Sequence, residues 1–88
     1  MTGSDPIADP LEGWGEALMV QNQSHLAVAK FAEADKYAFN WGRLHLKWGE
    51  ALSYAGKAEQ AKAQLARAAT LNLTPDEKAE LARQSPHA

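Results

Sequence analysis

The pentapeptide Trp14-Gly15-Glu16-Ala17-Leu18 recurs unchanged as Trp48-Gly49-Glu50-Ala51-Leu52, 34 residues further on. A fixed period of this size marks one supersecondary unit used twice, and its length fits a stacked helical hairpin. Identity over five residues that include Trp and Gly is improbable by chance in so short a chain. The echo continues downstream, where Ala27, Phe31 and Ala34 fall opposite Ala61, Leu65 and Ala68.

Such a repeat needs close helix approach and strong helix formers. The chain supplies 18 alanines and few β-branched residues, which argues for an all-helical fold. Its 88 residues make one small domain with a modest core. There is no cysteine, so disulfides and thiolate metal sites are excluded and nothing points to an oxidising compartment. No apolar run reaches the roughly 18–20 residues of a membrane span, and no signal-peptide pattern opens the chain. These features set the expectation of a soluble, cytoplasmic protein.

A net charge of −2 does not mark a nucleic-acid or membrane-surface binder. The charge is unevenly spread. Residues 1–40 carry two basic and six acidic groups, and residues 41–88 carry seven and five. Ordinary solvated helix faces account for this, and end-to-end attraction between molecules is the sharper alternative.

Residues 1–8 read as a disordered leader. Asp9-Pro10-Leu11-Glu12 opens a helix, with Asp9 as cap, Pro10 at the first helical position and Glu12 reaching back. Leu11, Trp14 and Leu18 then fall on one face. Gly13 and Gly15 weaken this helix by propensity. Since Gly15 recurs as Gly49, close helix approach is the reason expected there. Asn22 suits a left-handed C-terminal cap, and Ser24 helps to cap a second helix running to about Ala38, with Ala27, Phe31, Ala34 and Tyr37 inward. Asn40 restarts the pattern with Leu44, Trp48 and Leu52, and Gly56 closes it. A fourth helix covers about Ala58 to Thr70 and buries Ala61, Leu65, Ala68 and Leu71. Thr74-Pro75-Asp76-Glu77 combines cap, first-turn proline and capping-box Glu. It opens a polar fifth helix that ends before Pro86 and covers the last repeat, as stacked arrays require.

With both copies aligned, the sequence resembles the tetratricopeptide repeat (TPR) family, whose pattern is W-x₂-L-G-x₂-Y, then A-x₃-F, then P. Here it reads Leu11-x₂-Trp14-Gly15-x₂-Leu18 with Ala27-x₃-Phe31, and His45-x₂-Trp48-Gly49-x₂-Leu52 with Ala61-x₃-Leu65. The resemblance covers residues 9–85. It implies an all-α fold: an α-solenoid of two TPR hairpins (residues 9–40 and 41–74) plus a capping helix (75–85) and a short tail (86–88). Trp precedes each Gly where the family has Leu, and Leu stands for Tyr three residues after it. The repeat-ending proline is missing, with Phe39 and Leu73 in its place.

The resemblance implies a non-catalytic module binding a peptide or protein partner on a concave surface lined by the first helix of each repeat. That role falls to Glu12, Glu16, Met19 and Val20, and to Arg43, Leu46, Glu50, Ser53 and Tyr54. Helical spacing independently sets Glu12, Glu16 and Met19 on a stripe beside the core face. Some family members grip a C-terminal carboxylate with basic residues in this groove. The carboxylates of Glu12, Glu16 and Glu50 would repel such a ligand, so the expected partner is basic or apolar.

His25, His45 and His87 lack metal-ligand spacing, and no nucleophile–base–acid grouping or phosphate loop is legible. No catalytic residue, metal or cofactor is expected. Trp14 and Trp48 are assigned to the core rather than to base stacking, Trp41 is open between the two, and no basic stripe suggests nucleic acid.

At Phe39 two outcomes are open. Asn40 and Gly42 can sustain the turn without proline. Alternatively the second and third helices fuse from about Ser24 to Ala55, Phe39, Asn40 and Trp41 become a self-association hinge, and a domain-swapped homodimer results. Two repeats are fewer than the usual minimum of about three, so the binding module reads as cut from a longer array. Two further classes accompany it: a self-associating structural repeat fragment, and a regulatory or targeting segment of a larger enzyme.

Overall fold

Two residues with positive φ, Asn22 (61°) and Gly56 (81°), turn the chain back on itself at positions 34 apart. Each follows a helix whose last carbonyls it helps to satisfy. Gln23 N–H donates to Leu18 O at 2.8 Å, and Lys57 N–H donates to Leu52 O at 2.9 Å. These six-to-one closures are the expected way to end a helix with a left-handed residue.

A computed structural model describes residues 7–84, and its regular structure is helical throughout those residues. The helices are α1 (Ala8–Val20), α2 (Ser24–Asp35), α3 (Gly42–Tyr54), α4 (Ala58–Ala69) and α5 (Pro75–Gln84). Both bounds of α3 lie 34 residues beyond those of α1, and both bounds of α4 lie 34 beyond those of α2. The echo in sequence is therefore an echo in helix boundaries.

The repeated glycines set the spacing within each hairpin. A Cβ on Gly15 would stand 2.5 Å from the Phe31 ring, and one on Gly49 would stand 2.8 Å from Leu65. A Cβ at either place would force the facing side chain to move, so α1 lies directly on α2 and α3 directly on α4. Packing is two-layered. α2 contacts both α1 and α3, α4 contacts both α3 and α5, and α1, α3 and α5 follow one another on the other side. The larger core joins Leu18, Ala27, Phe31, Ala34, Leu44 and Ala51, and the smaller joins Leu46, Leu65 and Ala68, with Leu81 of α5 resting on it.

The capping box at α5 forms in both directions. Thr74 N–H donates to Glu77 Oε1 at 3.0 Å, and Glu77 N–H donates to Thr74 Oγ1 at 3.1 Å. At the other end the expectation fails. α1 starts at Ala8 with Ile7 at its N-cap and no side-chain cap, so Asp9 lies within the first turn. Its charge still suits the helix dipole there. Ala8, assigned to the leader, is fully buried, while residues 1–6 lie outside the described residues. Ser24 is likewise the first residue of α2 and makes no cap. α2 stops at Asp35, short of Ala38, and Tyr37 is exposed on the turn that follows.

That turn decides between the two outcomes at Phe39. α2 and α3 are separate helices with residues 36–41 between them, so no fused rod forms. Tertiary contacts replace the missing proline. The Phe39 carbonyl accepts from His45 Nε2 at 2.7 Å and from Arg67 Nη2 at 3.3 Å. Arg67 also donates to Asn40 Oδ1 at 2.7 Å. Trp41 is extended at the N-cap (φ −94°, ψ 109°), and a Cβ on Gly42 would meet the Asn72 carbonyl oxygen at 2.6 Å. A helix through this segment would lose all of these contacts.

Candidate functional site

The side built from α1, α3 and α5 carries a ladder of alternating charge. Arg43 of α3 is its centre. Its Nε donates to Glu16 Oε2 at 3.0 Å and its Nη2 to Glu16 Oε1 at 3.0 Å, a two-pronged grip on α1. Its Nε also lies 3.4 Å from Glu12, and its Nη1 donates to Glu77 of α5 at 3.4 Å. One turn on, Lys47 Nζ donates to both oxygens of Glu80, at 2.8 and 3.0 Å. At the next step Gln84 Nε2 donates to Glu50 Oε2 at 2.7 Å. Helical periodicity puts residues 43, 47 and 50 on one stripe of α3, facing 77, 80 and 84 on α5.

Five carboxylates converge here on two cations, and the imbalance shows in their protonation. Glu12 is 5% exposed. Burial first, and then hydrogen bonding and repulsion from Glu16, push its carboxyl up to about 9 against the pull of Arg43 and Lys47. Burial and the neighbouring Glu80 likewise push Glu50 up to about 7. Burial also acts upward on Glu80, but Lys47 and the hydrogen bond from Glu50 outweigh it and hold that carboxyl down. For Arg43 and Lys47, burial favours the neutral form, yet the surrounding carboxylates more than offset it and both stay firmly charged.

Beside this ladder a groove of about 240 Å³ opens between Glu16, Met19 and Val20 of α1 and Lys47, Glu50 and Tyr54 of α3. A second, more polar depression shares Met19 and Tyr54 and adds Asn22 and Ser24. Five of the nine residues expected to meet a partner thus line one groove: Glu16, Met19, Val20, Glu50 and Tyr54. The other four do not. Leu46 is fully buried under α5, packed with Leu65 and Ala68. Glu12 is buried too, because α3 covers its position on α1 as α5 covers Leu46 on α3. Arg43 is engaged by Glu16, Glu12 and Glu77, and Ser53 is exposed but lies off the groove. Lys47 was missed, as were its partners on α5. The signal for α5 was available, since Arg43 and Glu50 each stand 34 residues before the α5 residue they touch.

His45 is buried and structural. Its Nδ1 lies 2.6 Å from the Gln64 side-chain amide, and its Nε2 donates to the turn at Phe39. Its ring stacks on Trp48 at a centroid distance of 5.9 Å. Trp48 and Trp41 are half-buried against the larger core, whereas Trp14, assigned to the core from sequence, is 54% exposed. Among the described residues no group of three or more His, Cys, Asp or Glu is placed to hold a metal ion. No described helix is long and apolar enough to cross a membrane. Compared with family models, curated proteins and solved structures, the chain matches none.

Proposed function

We propose that the chain is a TPR-type interaction module: two helical hairpins and a capping helix stacked as an α-solenoid, non-catalytic, and binding a peptide or protein segment in the groove between α1 and α3. One observation carries this reading. The groove lies between the two copies of the repeated helix, and four of its six lining residues come from equivalent positions, Glu16 with Glu50 and Val20 with Tyr54. Val20 and Tyr54 are 84% and 67% exposed, apolar surface that a bound segment would cover. The carboxylates of Glu16 and Glu50 bias the partner towards basic or apolar chemistry and against an acidic C-terminus.

An NMR titration of the isotope-labelled protein with acidic and basic peptides tests this. Shifts concentrated at Met19, Val20, Glu50 and Tyr54 are expected from basic and apolar sequences. Preferential binding of peptides ending in acidic residues, or shifts centred on α4, would overturn it.

A further inference from the structure

The groove carries a charge deficit that its own residues do not repair. Lys47 lines it, but its ammonium is engaged by both oxygens of Glu80, and Arg43 is engaged by Glu16 and Glu77. Glu50 lines the same groove with one oxygen held by Gln84 at 2.7 Å and the Lys47 ammonium 3.9 Å from the other. The groups that bear on it are Glu16 from α1, Lys47 from α3 and Glu80 from α5. α2 and α4 direct Asp35 and Gln64 to His45, not to Glu50. Two carboxylates therefore face Glu50 with a single shared cation between them and it.

We propose that the groove exchanges a proton for its ligand's charge: a lysine or arginine side chain of the bound segment seats beside Glu50, and an adjoining apolar side chain rests against Met19, Val20 and Tyr54. This rests on the groove being a binding surface, and it adds the ligand class and its control by pH. In the free protein the proton rests on Glu50, whose carboxyl is raised while that of its neighbour Glu80 is held down by Lys47. When the cation enters, that proton leaves to solvent, the carboxylate stays ionised and the ligand keeps its own charge. Burial and Glu80 hold the Glu50 carboxyl at about 7, inside the physiological range. The sign follows from linkage. The free groove binds a proton that the occupied groove does not, so affinity rises with pH up to about 7 and levels off above it. Between pH 6 and pH 8 the change for one such group is about tenfold.

The probe is an acetylated, amidated pentapeptide with a central lysine between leucines, set against the same peptide with norleucine at the centre. Both are titrated by NMR at pH 6 and pH 8 into the protein and into Glu50→Gln, whose neutral amide still accepts from Gln84 and whose spectrum reports its fold. The lysine peptide is expected to bind about tenfold tighter at pH 8, with that dependence flattened in Glu50→Gln. Norleucine binding as well as lysine, or lysine binding equally at both pH values, would overturn the exchange and leave the groove as a binding surface. A dependence that survives Glu50→Gln would assign the proton elsewhere and also overturn it. If neither peptide moves the groove resonances, the binding surface fails and the exchange with it.

Discussion

Trp14 and Trp48 hold the same place in the same pentapeptide, yet one is 54% exposed and the other is half-buried against the larger core. Their neighbours differ in the same sense. Pro10 and Ala17 of α1 are exposed, whereas their counterparts Leu44 and Ala51 of α3 are fully buried. The cause is α2, which covers this face of α3, while no described helix covers it on α1. Burial in a repeat thus belongs to the neighbour as much as to the residue. Trp14 keeps a smaller contact, the Lys30 ammonium 3.9 Å from its ring centroid. A cation–π pair at an exposed site contributes about 0.5–1 kcal/mol.

The largest test of this comparison removes each tryptophan in turn. Trp48→Ala is expected to cost about 2–3 kcal/mol, somewhat below a fully buried aromatic, and Trp14→Ala about 1 kcal/mol or less. Urea unfolding of the two variants measures the gap. Equal losses would mean that something covers Trp14 in solution.

A second contrast runs the other way. Glu12 and Leu46 are equivalent, and both are buried, each beneath the next helix of its layer. Leu46 meets Leu65 and Ala68, but Glu12 meets Arg43 and leaves its Oε2 without a hydrogen bond. Exchanging a buried carboxyl with an unsatisfied oxygen for a well-packed apolar side chain is often stabilising. Glu12→Leu is therefore expected to gain about 1–2 kcal/mol near neutral pH, since Arg43 keeps Glu16 and Glu77. The pH dependence sharpens it. The Glu12 carboxyl is raised on folding from 4.5 to about 9. Between those values the native state holds a proton that the unfolded state has lost, so stability falls as pH rises. The advantage of the leucine variant should widen from about pH 4.5 to about pH 9 in thermal scans. A constant gap would show that Glu12 ionises normally.

What could be read from the sequence divides along the same line. The period, the glycines at the helix contacts, the left-handed Asn22 and the box at Thr74 are local or repeated features, and their physics is set by the residues themselves. Trp14 was misplaced because its environment depends on a helix beyond the repeat. Leu46 and Glu12 were given to a partner because helical spacing cannot say which flank the next helix covers. The turn at Phe39 lacked a breaker in sequence, and Arg67, 28 residues away, supplies part of what holds it. Of the candidate groove, the members on the repeated helices were legible. Lys47 was not, because its counterpart is Gly13, which has no side chain to match.

That last pair gives the smallest and cleanest test. Gly13 lies inside α1, two residues before Gly15, and a Cβ there would meet nothing within 4 Å. Glycine in a helix interior costs about 0.5–1 kcal/mol against alanine, because the unfolded chain loses more freedom on ordering. Gly13→Ala should therefore stabilise by about that amount, and Gly15→Ala should destabilise, since its methyl would enter the Phe31 ring. The opposite signs of two identical substitutions in one helical turn separate propensity from packing, with the helix itself held constant. Differential scanning calorimetry should show the midpoint rising for the first variant and falling for the second. A midpoint that falls for Gly13→Ala would mean that the open side of α1 is covered in solution, and the contrast between Trp14 and Trp48 would then describe a surface awaiting its neighbour.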